Sequence, residues 1–99
     1  VPSQKKPNAV YLTSKAKKRL LEHGLYLLEK TGDVQKANAF LARMQSYLKE
    51  TLLAYPRIGR PASEFGKGVR KFVYQRFTVL YVIESDAVVI LTIYRENLP

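Results

Sequence analysis

Two hydrophobic rhythms alternate along this chain, and the change between them falls at a stretch rich in proline and glycine. Ala9-Val10-Tyr11-Leu12 is a short apolar run that predicts one strand, ended by Thr13-Ser14, either of which can cap a helix. From Lys15 to Lys30 apolar residues recur at Ala16, Leu20, Leu27 and Leu28, with Leu21 and Leu25 widening the stripe, so this segment reads as a helix. Thr31-Gly32-Asp33 closes it and opens a second: glycine tolerates the left-handed backbone of a helix end, and aspartate suits an N-cap. Val34, Ala37, Leu41, Met44, Leu48, Leu52 and Tyr55 keep a three-four spacing until Pro56 stops it, and the short connection makes the pair an antiparallel hairpin.

Residues 56–68 have no period and read as a loop. Beyond them the rhythm becomes that of strands, over 69–74, 77–83 and 87–94, with Glu84-Ser85-Asp86 as a hairpin turn. Val88-Val89-Ile90-Leu91 does not alternate, which predicts a central strand buried on both faces. The order β-α-α-β-β-β makes an α+β fold, a helical hairpin packed on one face of a small, mainly antiparallel sheet. Residues 9–99 are expected to form one domain, and the polar, proline-containing residues 1–8 a disordered arm or a non-native remnant.

Composition narrows the function classes. The 99 residues include no cysteine and one histidine, which removes disulfides, cysteine nucleophiles and most metal sites. No apolar run is long enough to span a bilayer and no signal peptide is visible, so a cytoplasmic location is expected. The net charge is +9, which favours acidic partners. Lys5, Lys6, Lys15, Lys17, Lys18 and Arg19 supply six of those charges with no acid among residues 1–19, as a flexible arm and a solvated helix face would.

Candidate chemistry is correspondingly sparse. His23 lacks the partners of a catalytic triad and reads as a surface or half-buried helix residue. Gly66-Lys67-Gly68 lacks the phosphate-loop spacing and reads as a turn. Arg70, Lys71, Tyr74, Arg76, Tyr94 and Arg95 form a basic and aromatic set in the C-terminal half. Period-two alternation puts Arg70, Phe72 and Tyr74 on one face and Val69, Lys71 and Val73 on the other. Such a surface can stack bases and neutralise phosphate, or it can be a packed Phe72 with cations that keep the sheet soluble.

Taken in order, Tyr11-Leu12-Thr13, the hairpin ending in Tyr55-Pro56-Arg57-Ile58-Gly59-Arg60-Pro61, then Val69-Arg70-Lys71-Phe72, Val79-Leu80-Tyr81 and Tyr94-Arg95 resemble the ParE/RelE toxin superfamily. The resemblance implies the toxin half of a type II toxin–antitoxin pair, without cofactor or metal, and it implies two possible targets. RelE-like toxins cut messenger RNA on the ribosome with lysines, arginines and a tyrosine. Here Lys71 stands alone between Val69 and Val73, and Thr78 occupies the place of an arginine; no tyrosine follows Arg95 up to Pro99. ParE-like toxins trap DNA gyrase, and Gly59-Arg60-Pro61 with Val69-Arg70-Lys71-Phe72 favours this branch, although Tyr94 stands where that branch commonly has histidine. The resemblance therefore implies a non-enzymatic gyrase inhibitor with Arg60, Arg70, Lys71, Arg76, Tyr94 and Arg95 as target-binding candidates. A cognate antitoxin is implied as partner, its acidic tail meeting Lys15, Lys17, Lys18 and Arg19. The ribosome and its message are the alternative target, with Lys71, Arg76, Arg95 and Tyr94 as the working set.

Overall fold

The computed structural model describes residues 6–95. Strand β1 (Ala9–Leu12) leads into α1 (Ser14–Thr31) and α2 (Val34–Ala54), followed by β2 (Arg60–Pro61), β3 (Arg70–Tyr74), β4 (Phe77–Glu84) and β5 (Ala87–Arg95). The predicted order holds with one addition. The loop between the helices and β3 contains the two-residue strand β2 and a single 3-10 turn at Ser63–Phe65.

Local chemistry fixes the helix ends. Thr13 Oγ1 accepts from the Ala16 amide at 3.0 Å and donates to the Leu91 carbonyl at 2.8 Å, so one hydroxyl both caps α1 and ties it to β5. Gly32 takes the left-handed conformation with φ 67° and closes α1. Asp33 then caps α2 by accepting from the Lys36 amide at 3.1 Å.

The sheet order is β1-β5-β4-β3-β2, with β1 parallel to β5 and the other pairs antiparallel. Both helices lie on one face: Ala16, Leu20, Met44, Leu48 and Leu52 meet Phe72, Val79, Tyr81, Val88, Ile90 and Ile93 in one core. The strand buried on both faces is β4, where Thr78 to Tyr81 are all buried, and β5 departs from that expectation because Val89 and Leu91 are half-buried. The reason is position. Strand β5 borders the four-residue edge strand β1, whereas β4 has longer neighbours on both sides.

Two further departures have geometric causes. Leu21 and Leu25 point outward, because the buried line of α1 runs through Ala16, Leu20 and Gly24. At Gly24 the helices approach so closely that an added Cβ would lie 3.0 Å from the Leu41 side chain. In β5, Leu91 is an extra residue: Leu80 pairs with Thr92 but Tyr81 pairs with Ile90. This bulge flips the alternation, so that Val88, Ile90 and then Ile93 face the core.

Residues 1–5 of the expected disordered arm lie outside the described residues. Its last part is docked, since Pro7 is buried and Asn8 donates to the Asp86 carbonyl at 2.7 Å through its amide and to the Asp86 carboxylate at 3.2 Å through its side chain.

Candidate binding surfaces

The loop after α2 is pinned from below. Tyr81, fully buried in β4, accepts from the Gly59 amide at 2.9 Å and donates to the Pro56 carbonyl at 2.7 Å. Arg70 Nε donates to the Gly59 carbonyl at 2.8 Å, and its guanidinium also reaches the Arg57 carbonyl at 3.4 Å. Gly59 is required by space: an added Cβ would stand 2.9 Å from the Lys71 carbonyl oxygen and from the Tyr81 ring and hydroxyl. The Gly59-Arg60-Pro61 motif thus places a buried glycine between β3 and Tyr81 and turns Arg60 outward. Arg60 meets Glu64 at 3.8 Å in an exposed pair. Gly66-Lys67-Gly68 is a turn, as expected, with φ 133° at Gly66 and 78° at Gly68.

The six target-binding candidates do not converge. Arg70 is directed into the loop backbone, and Tyr74 lies under α2, its ring stacked on Tyr47 at 3.7 Å and 11°. Of the two readings of the face carrying Arg70, Phe72 and Tyr74, the structure supports the packed one: this is the helix-covered face and Phe72 is core, so it offers no open cation-and-ring surface. Lys71 sits on the opposite face, directly across from Arg60. Arg76 lies at the far end of β3 in the two-residue turn to β4, where Gln75 and Arg76 have φ of 48° and 71°. The bulge separates the last two candidates. Tyr94 pairs with Thr78 on the face that the helices leave open, while Arg95 follows Ile93 onto the helix side, 5.9 Å from the Tyr26 ring centroid.

His23 belongs to the packing beside Arg95. Its ring meets Phe77 edge-on at 4.7 Å, and Phe77 in turn meets Phe40 at 5.5 Å. Its Nε2 is buried with no hydrogen-bond partner. Burial lowers the imidazole pKa from its usual 6.5; Glu22 raises it, and Arg95 and Arg19 lower it further. Among the described residues no group of three or more His, Asp or Glu side chains could hold a metal ion. No helix among them is long and apolar enough to cross a membrane.

A second surface lies at the other sheet edge. Val10 and Leu12 face the core from β1, but the helices do not fully roof them. Between them and the helices is a cavity of about 270 Å³ lined by Val10, Leu12, Lys17, Gln45 and Lys49. Of the four basic candidates on α1, Lys17 alone lines this cavity; Lys15 and Lys18 are exposed elsewhere and Arg19 pairs with Glu22 at 3.7 Å.

The sequence pattern described as "ParE toxin of type II toxin-antitoxin system, parDE" matches residues 10–97, almost all of the chain. The chain belongs to the ParE toxin family. A relative in Caulobacter vibrioides, "Toxin ParE3", is 40% identical over 60 residues, which is 61% of this chain and 59% of that protein's length. Among solved structures, the chromosomal ParDE system of P. aeruginosa superposes with a TM-score of 0.75 at 19% identity, covering 90% of this chain and 96% of that one. The toxin–antitoxin complex RelBE2 of Mycobacterium tuberculosis gives 0.67 at 21% identity, covering 97% and 98%. Both branches therefore share the fold, and the fold alone does not choose between them.

In this member of the ParE family the features that carry no signal in the sequence are contributed across long separations. Lys49 and Gln45 face the β1 cavity from the second helix, where exposed polar positions are normal and carry no signal. Tyr81 gave only the signal of a lone phenol in an apolar strand, a residue that needs a polar partner when buried.

Proposed function

We propose that this ParE toxin acts in the cytoplasm by binding DNA gyrase, without catalysis, and that a cognate antitoxin neutralises it. One observation carries the choice of binding over RNA cleavage: the groups a metal-free nuclease would need are on different faces of the sheet. Phosphodiester cleavage requires cations and a proton-transfer group within a few ångströms of one reacting phosphate. Lys71 and Tyr94 lie on the open face, Arg95 lies against Tyr26 on the helix side, and Arg76 is in a turn. Family membership supports the remainder of the reading.

The antitoxin is expected to bring an acidic segment with apolar side chains to the β1 edge. That cavity has an apolar floor of Val10 and Leu12 and two lysines at its rim, and no strand covers the outer edge of β1 among the described residues. An added strand would satisfy the edge and place alternate side chains over the cavity. Charge reversal, Lys17→Glu with Lys49→Glu, is expected to weaken antitoxin binding at least ten-fold at low salt while leaving the fold intact.

The target is tested by adding purified toxin to gyrase supercoiling and gyrase-dependent DNA cleavage reactions, in parallel with a ribosome-bound message. Inhibition of the first with an intact message is the expected result. Cleaved message and unaffected gyrase would reverse the assignment.

A further inference from the structure

We infer that the pinned loop of residues 55–67, rather than the sheet face, is the surface that contacts the target, and that it fits a protein surface bearing apolar pockets rimmed by carboxylates. The inference rests on gyrase as the target and assigns which part of the toxin meets it.

Three large apolar side chains are exposed within this one loop: Tyr55 at 67%, Ile58 at 47% and Phe65 at 45%. Such residues cost free energy in water unless something covers them, and here they sit among the cations Arg57, Arg60 and Lys67. Aromatic side chains and arginine are the residues that dominate protein–protein contacts. Ile58 argues against a nucleic-acid partner, since a branched aliphatic offers no face on which a base can stack.

The charge is one-sided. Residues 55–71 hold five cations, Arg57, Arg60, Lys67, Arg70 and Lys71, against the single acid Glu64. Arg60 and Lys71 stand directly opposite one another across β2 and β3, a like-charge pairing that weakens a sheet and that an acidic partner would relieve. Rigidity is the third element. A flexible loop would lose its freedom on binding, whereas this one is already held by Tyr81, by Arg70 and by the Ala62 amide donating to the Val69 carbonyl at 2.8 Å, with Ala62 itself fully buried. Pre-organised anchors reduce the entropic cost of association. The fold thus commits the Tyr81 hydroxyl and the Arg70 guanidinium to fixing a backbone that holds Tyr55, Ile58 and Phe65 exposed.

The test compares four purified toxins in a gyrase supercoiling assay: wild type, the combined Tyr55→Ser, Ile58→Ser and Phe65→Ser variant, the charge variant Arg57→Glu with Lys67→Glu, and Val34→Ser. Val34 is an equally exposed apolar residue at the start of α2, outside the proposed surface. Circular dichroism and the thermal midpoint verify folding. Each loop variant is expected to need about ten-fold or more protein for half-inhibition, as loss of anchor residues commonly requires, with Val34→Ser unchanged. A folded loop variant of either kind that matches wild type overturns the inference, and the charge variant decides should the serine variant not fold. Wild type without effect on gyrase overturns the target itself, and the two failures are told apart by that first arm.

Discussion

Replacing Tyr81 by phenylalanine tests the latch beneath the loop. The phenol is fully buried, accepts from Gly59 at 2.9 Å and donates to Pro56 at 2.7 Å. Removing one oxygen leaves the ring in its edge contact with Phe72, at 5.8 Å and 78°, so almost no packing is lost. The cost is polar. The Pro56 carbonyl belongs to a half-exposed residue and can exchange its partner for water, at about 0.5–1.5 kcal/mol. The Gly59 amide belongs to a buried residue, and a buried donor without a partner costs about 1–3 kcal/mol. Together these give about 1.5–4.5 kcal/mol, a sizeable share of the roughly 5–15 kcal/mol that holds a domain folded. For a chain of this length, at about 5 °C per kcal/mol, that lowers the thermal midpoint by about 7–22 °C. Urea denaturation measures the stability change, and amide hydrogen exchange at Gly59 reports the latch itself, since the backbone ladder does not protect that group. A loss below about 0.5 kcal/mol, the scale of an ordinary surface change, with Gly59 protection retained would refute the reasoning.

Three further outcomes are expected. Gly59→Ala forces a Cβ to within 2.9 Å of the Lys71 carbonyl, which cannot yield without parting β2 from β3, so it should destabilise by about 1–3 kcal/mol in calorimetry and weaken gyrase inhibition with it. Gln75→Asn with Arg76→Gly places residues that tolerate positive φ where both φ values are positive, and should raise stability by about 1 kcal/mol in the same assay; an unchanged midpoint would mean that the turn holds no strain. His23 has a folded-state pKa below 6.5, so the unfolded chain takes up the proton first as pH falls; the stability it contributes is complete above that value and declines below it, through the folded pKa. The difference in unfolding free energy between wild type and His23→Gln should therefore shrink on acidification from pH 7 to pH 5, and a constant difference would exclude titration of His23 as a source.

The elements were legible because each carries its own period or punctuation. Gly32-Asp33 and Pro56 end and start helices through their own backbone and side-chain chemistry, whatever the rest of the chain does. The faces were less legible. Leu21 and Leu25 satisfy helical spacing, but the side of α1 that is buried depends on where α2 crosses it, and Gly24 against Leu41 decides that. Strict alternation along β5 would have put Tyr94 with Ile90 and Val88, and the one-residue bulge at Leu91 transfers that place to Ile93 and Arg95. A bulge depends on the pairing partner as well as on the strand's own residues. Alternation along β3 separates Arg70 from Lys71 in the sequence itself, but where Arg76, Tyr94 and Arg95 fall relative to them depends on the β3–β4 turn and on the β5 bulge, and the sheet divides the set between two faces and two ends. Lys17 stands out in the sequence by the run of cations around it, while Lys49, which also lines the cavity, depends for its place on α2 lying beside β1.

The two proposed surfaces lie at opposite edges of the sheet, and that separation constrains how neutralisation works. The cavity adjoins β1 and the loop carries β2, with four strand spacings between them in the order β1-β5-β4-β3-β2. At about 4.8 Å per spacing the edges are roughly 19 Å apart. A segment confined to the β1 cavity therefore leaves the loop uncovered, and an antitoxin that blocks the loop while anchored at Lys17 and Lys49 must cross with at least about six extended residues at roughly 3.3–3.6 Å each. Successive truncations of the cognate antitoxin separate the two effects. A fragment long enough to occupy the cavity, recognised by its loss of binding to the Lys17→Glu toxin, should bind without restoring gyrase supercoiling, and restoration should appear only when the fragment regains the length to cross. A cavity-bound fragment that by itself abolishes inhibition would mean that the edges communicate through the sheet, or that the loop is not where the toxin meets its target; exchange protection of the Gly59 amide, altered in the first case and unaltered in the second, decides which.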